Sequence, residues 1–205
     1  MSFAIPIQAS QTYSGNQWKA TRLIEEAAQT FLIGTPVSVD SSDGGIQAWD
    51  GSTLSGAQGS ITGVCYEAAS NLATTGKGAP VPFQGVTGIG SAITFGSVEN
   101  ESAAVNIPHG APLNDGRVGF ISAVGDNIFS GSFGNSGTAA TPAATDVGKS
   151  YGLTKDSNNY WYVDKSKTST SAAVTVLALD PRDTPAAGSR VLFVFLPGVV
   201  DLTAV

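Results

Sequence analysis

The sequence predicts a mainly β protein: a β-barrel or sandwich of short strands, with an extended N-terminal arm and at most one short helix. Three observations carry this. The first is Gly188-Ser-Arg-Val-Leu-Phe-Val-Phe-Leu-Pro197, a turn, a strand apolar on nearly every position, and a proline stop. A strand apolar on both faces must be covered on both, either inside a closed β-domain or against another chain. The second is the rhythm after Phe31, where short apolar stretches alternate with glycine-rich turns. The third is composition. Charged residues are only 13% of 205, hydrophobic residues are 41%, and there are 25 glycines. Low charge with high hydrophobicity argues against disorder and suits a chain that buries much of its surface.

Along the chain, residues 1–30 read as an arm, and residues 31–205 as a β domain that subdivides, if at all, near 130–146. In the arm, Phe3, Ile5, Ile7 and Trp18 are apolar anchors. They serve either a neighbouring molecule or the chain's own domain, and the sequence leaves both readings open. Thr21-Arg-Leu-Ile-Glu-Glu-Ala-Ala-Gln-Thr30 is the one helix-like stretch, since Ala, Leu and Glu favour helix. Phe31–Val39 is a strand broken at Gly34 and Pro36, which fit a bulge or an edge better than a central position. Asp40-Ser-Ser-Asp-Gly-Gly45 is a turn, Ile46–Trp49 a strand, and Asp50-Gly51 a hairpin signal. Ile61–Tyr66 resumes a strand. Residues 70–116 offer short candidates at Val81–Phe83, Ala92–Phe95 and Ala103–Ile107. Arg117–Val124 is a clear strand. Residues 130–146 read as a low-complexity link or exposed loop. Strands then return at Ser150–Leu153, Tyr160–Val163 and Ala173–Leu179, and Asp180-Pro-Arg-Asp183 turns the chain into the last one.

Charge and cysteine content exclude several functions. The net charge is −6 and the ten basic residues never cluster. A nucleic-acid binder needs a basic stripe, so DNA or RNA is not an expected partner. The single cysteine, Cys65, cannot form an intrachain disulfide. The N-terminus has no basic n-region and long apolar core of a signal peptide, and no run approaches the ~20 apolar residues of a membrane helix. The expectation is a soluble protein made in a cytoplasm, with no membrane contact.

Candidate chemistry is sparse. Gly148-Lys149-Ser150 looks like the end of a phosphate-binding loop, but Ala143 stands where the motif needs its first glycine, and a strand-like stretch comes next. His109 is the only histidine, in a proline-rich turn, and reads as a loop residue. Cys65 reads as a small buried thiol. Asp40, Asp43 and Asp50 lack calcium-loop spacing. Glu25-Glu26 and Glu99–Glu101 read as solvated faces. Tyr160-Trp161-Tyr162 is an aromatic strand that is either core on one face or a surface for carbohydrate or protein. No cofactor, metal or enzymatic activity is expected.

A set of pieces resembles virion proteins of tailed bacteriophages: Gln29-Thr-Phe-Leu-Ile-Gly-Thr-Pro-Val37, Ile46-Gln-Ala-Trp-Asp-Gly51, Ile61-Thr-Gly-Val-Cys-Tyr-Glu67, Tyr151-Gly-Leu-Thr-Lys-Asp, Trp161-Tyr-Val-Asp-Lys, and Arg190-Val-Leu-Phe-Val-Phe-Leu-Pro. Together they span most of residues 29–200, and they resemble head decoration (cement) proteins. The resemblance implies a structural protein on the outer surface of the phage head, made in the host bacterial cytoplasm. Its partner would be the major capsid protein, and it would act as a homo-oligomer, a trimer among the options. Phe3, Ile5, Ile7, Trp18, Tyr160, Trp161 and Tyr162 are the partner-contact candidates. A tail, neck or baseplate component, or a carbohydrate- or receptor-binding β module, are the alternatives.

Overall fold

The computed structural model describes residues 2–15, 18, 20–40, 44–51, 61–69 and 117–200. His109, Asp43, Glu99–Glu101 and the strand candidates between residues 70 and 116 lie outside them. The described residues are mainly β, as expected. Twelve strands run β1 (Gln8–Thr12), β2 (Ala20–Ile24), β3 (Pro36–Val39), β4 (Ile46–Ala48), β5 (Gly63–Cys65), β6 (Arg117–Ser122), β7 (Asn127–Asn135), β8 (Thr138–Ala139), β9 (Ser150–Lys155), β10 (Trp161–Asp164), β11 (Val174–Leu179) and β12 (Arg190–Phe195). Helical structure among them is limited to single 3₁₀ turns.

The strands form two sheets. In the larger, β7, β10, β9, β11 and β12 hydrogen-bond in sequence, and β12 pairs back onto β7 to close a five-stranded barrel. β7 makes closure feasible by serving different partners along its length. Its Phe129–Ser132 stretch pairs antiparallel with β12, and Phe133–Gly134 pair parallel with Val163–Asp164 of β10. β1 adds to the outside of this ring, antiparallel to the start of β7. The smaller sheet runs β2-β6-β5-β3-β4, all antiparallel. A bridge from Glu25 to Ile46 brings its two edges together, so this second lobe also curls around its own core. The lobe is inserted between β1 and β7, two strands that are themselves neighbours.

Burial explains the pattern. The larger core holds Phe129, Phe133, Leu153, Val163, Val174, Val176, Val191 and Phe193 inside the barrel. It continues through Trp49, Ile61, Val64 and Ile121 of the lobe. The Trp49 and Trp161 rings meet across the junction at 5.1 Å. The smaller core is Phe31, Val37, Ile46, Cys65, Val118 and Phe120. Alternation on β5 and β6 thus sends Val64 and Ile121 to one core and Cys65 and Phe120 to the other. β12 is the strand covered on both faces: Val191, Phe193 and Phe195 point inward, and Leu192 on the opposite face is 6% exposed.

Several expectations are corrected. The helix-like stretch is not a helix: its first part is in β2, which pairs residue for residue with β6, and residues 25–30 form a bridge and a turn; the β-branched Thr21 and Ile24 suit the pairing. Pro36 is not at a sheet edge, because β3 lies between β5 and β4; it is tolerated as the first residue of the strand. Of residues 130–146, the first part is not a link or an exposed loop but belongs to β7, while most of 136–145 is exposed as expected of a loop. Eight of the nine residues of β7 are buried, and small residues are required there: a Cβ on Gly134 would sit 2.6 Å from Phe3 and 2.7 Å from Tyr162. Glu25 is fully buried, not on a solvated face. Residues 1–30 do not form one arm, since β1 belongs to the barrel sheet and β2 to the lobe.

Candidate functional site

An apolar groove of about 520 Å³ lies where barrel and lobe meet. Ile7, Gln8 and Ala9 form one wall, Val64, Cys65 and Ile121 the floor, and Trp18, Ala20, Ile33 and Tyr66 the rim. None of these side chains is charged, in a chain of net charge −6. The rim is unusually apolar for exposed surface: Trp18 is 42%, Ile33 47% and Tyr66 37% exposed.

Local geometry explains why the rim is presented. Leu32 and Ile33 sit on a tight turn closed by a Thr35 N–H to Leu32 carbonyl bond of 3.2 Å. Gly34 adopts φ +81°, and its missing Cβ lets the Pro6–Ile7 backbone pass; a Cβ there would lie 2.5 Å from the Ile7 nitrogen. The turn therefore docks against the barrel while pushing Ile33 outward. Tyr66 lies across Gly119, which has no side chain to obstruct it. Beside it, Glu67 accepts from the Arg22 Nη2 at 3.1 Å and from the Gly119 N–H at 2.8 Å, pinning β2, β6 and the end of β5 together.

The nucleophile and acid candidates have structural employment. Burial pushes the Cys65 thiol up to about 12, so it stays protonated, and it donates to the Leu32 carbonyl at 3.1 Å. The barrel's carboxylates fasten turns. Asp180 accepts from the Arg182 guanidinium at 2.6 and 2.9 Å and from Ser130 at 2.6 Å; the Arg182 bonds outweigh burial and hold it well below the usual carboxylate range. Asp146 accepts from the Tyr151 phenol at 2.7 Å and pairs with Lys165 at 3.1 Å. Asp164 accepts the Ser136 N–H and the Ser166 hydroxyl at 2.9 and 2.7 Å. Burial alone would raise Asp156, yet bonds from Ser2 and the Asn158, Ala4 and Tyr160 amides lower it. Among the described residues, no three His, Cys, Asp or Glu side chains gather as metal ligands would.

The contact candidates separate into two groups. Ile5 and Trp18 are exposed, at 40% and 42%. Ile7, Trp161 and Tyr162 are buried within the chain itself, at 2%, 4% and 0% exposure, and Phe3 packs on Tyr162 at 4.9 Å between ring centres. Tyr160 is half-buried. The aromatic strand is thus core, and only its first residue reaches the surface. Ile33 and Tyr66 were missed by sequence reasoning, because each sits inside a stretch that reads as strand. The glycines at 34 and 119 were the available signal. Scans of family models and searches of curated proteins and solved structures found nothing that matches this chain.

Proposed function

We propose that the chain is a structural protein of a bacteriophage particle that binds the outer head and holds neighbouring capsid subunits together. The observation that carries this is the charge-free groove rimmed by Trp18, Ile33 and Tyr66. Large exposed apolar side chains around a concavity are what a protein–protein contact requires. The virion-like sequence pieces point the same way. The barrel supplies stiffness, and the groove takes an uncharged, apolar segment of the shell protein. Repeated weak contacts over a lattice then sum by multivalency.

The docking surface differs from the one the arm suggested. Removing residues 1–20 would strip β1 and Ile7 from the barrel, so the truncated chain is destabilised rather than merely unhooked. The carbohydrate reading through Tyr160, Trp161 and Tyr162 loses support, because Trp161 and Tyr162 are core. A tail or baseplate position would use the same groove on a different lattice. Immunogold labelling of purified particles with antibody to this chain separates these cases. Label over the whole head supports the cement reading, label on the tail relocates the protein, and unlabelled particles overturn the proposal.

A further inference from the structure

The barrel ring is complete without β1. β7, β10, β9, β11 and β12 close on one another by their own hydrogen bonds, and residues 2–12 lie against the finished ring as a bound peptide would. The cradle that receives them is specific. Asp156 Oδ2 accepts from the Ser2 hydroxyl at 2.9 Å and from the Phe3 and Ala4 N–H groups at 3.1 Å each. Its other oxygen is held by the Asn158 and Tyr160 amides at 2.9 and 3.1 Å, which fixes the acceptor in place. The Ile5 N–H donates to Ser132 at 3.3 Å. Glycines leave room for the side chains: a Cβ on Gly134 would meet Phe3 at 2.6 Å, and one on Gly131 would come within 3.3 Å of Ile7. β1 then pairs from Gln8 on Ser130 to Thr12 on Asn127.

Nothing in this recognition requires strap and cradle to belong to one chain. Thr12 ends on the barrel, and Ala20 begins in the other sheet, so the strap shares no sheet with the next strand of its own chain. We propose that residues 2–12 are an exchangeable strap, and that the cradle formed by Asp156 and by β7 with its Gly131 and Gly134 accepts the strap of a second copy of this chain. The same contacts form in the closed monomer and the exchanged dimer, so concentration selects between them. Strap exchange is independent of where the protein acts.

The test uses full-length protein. Single variants Thr12→Cys and Asn127→Cys are mixed, unfolded, refolded together in reductant at high concentration, and oxidised only after folding. Exchange places the Thr12–Asn127 pair on different chains, so a disulfide-linked heterodimer appears that neither variant forms alone, and its fraction rises with concentration. A mixture that yields no such heterodimer overturns the proposal. A second measurement avoids cysteines: isotope-labelled and unlabelled native chains are refolded together and weighed by native mass spectrometry. Mixed dimers that vanish in the Asp156→Ala, Gly134→Leu double variant support strap exchange. Monomers alone, or mixed dimers that persist in that variant, contradict it.

Discussion

The barrel and the inserted lobe solve the same problem, a sheet curled around a core, with different means. The barrel closes through continuous strand pairing and stacks aromatic rings inside, with Phe129, Phe193 and Phe195 in mutual contact at 5.2–6.1 Å. Its acids are drawn inward to fasten turns; Asp146, Asp164 and Asp180 are at most 2% exposed. Residues 123–200 carry as many acidic as basic side chains, so the net charge of −6 lies in the rest of the chain. The lobe has a smaller core and closes its ring by an isolated bridge at Glu25 and Ile46. The difference gives the barrel a ring closed by continuous pairing, and places the groove to which the proposed function assigns attachment at the seam, where the lobe's apolar turn meets the barrel's first strand.

The largest effect that could break this comparison is in the cores. Phe193→Ala should cost about 3–5 kcal/mol and unfold the whole chain cooperatively, seen in thermal denaturation. Phe120→Ala removes the same side chain from the lobe core, and hydrogen exchange should then show loss of protection in β2–β6 while β9–β12 stay protected. Equal loss in both regions would mean the two cores are one cooperative unit.

Next is the strap cradle. Gly134→Ala inserts a methyl against Phe3 and Tyr162 and should cost about 1–3 kcal/mol. Gly137→Ala, at φ +83° with open space around it, should cost about 1 kcal/mol from backbone strain alone. Denaturant midpoints compare the two, and a smaller loss at Gly134 would contradict the packing described for Phe3.

Acid should act on the barrel through its turn carboxylates. Asp156 and Asp180 are held below their ordinary values, so the unfolded chain binds more protons than the folded one in acid. Their contribution is present above about pH 4, the unfolded carboxylate range, and is lost as pH falls through the folded values. Asp180→Asn should flatten the acid limb of a stability–pH curve, and an unchanged limb would assign acid sensitivity elsewhere.

Much of the fold was legible in the sequence, for physical reasons specific to each element. The last strand declared itself because a run apolar at every position has to be enclosed. The Asp180–Asp183 turn was visible because Asp and Pro close turns locally. β7 was illegible because its glycines and serines serve partners far away in sequence, Phe3, Ile7 and Asp180, and small polar residues in isolation look like a linker. β2 was misread because Leu, Glu and Ala favour helix, whereas pairing with β6, nearly a hundred residues on, decides the outcome. The groove was legible only in Trp18 and Ile7, apolar anchors outside any strand pattern; Ile33 and Tyr66 are indistinguishable from core residues until the turns that expose them are known.

The smallest expected effect on stability accompanies the test of the central claim. Ile33 is half exposed, so Ile33→Asp should change stability by no more than about 0.5 kcal/mol. Co-sedimentation with the phage heads of the proposed function, lacking this chain, then reads binding directly, with Lys149→Asp on the exposed barrel surface as the comparison. Ile33→Asp should stay in the supernatant while Lys149→Asp pellets like the native chain. If Ile33→Asp pellets with the heads as the native chain does, the groove is not the attachment surface.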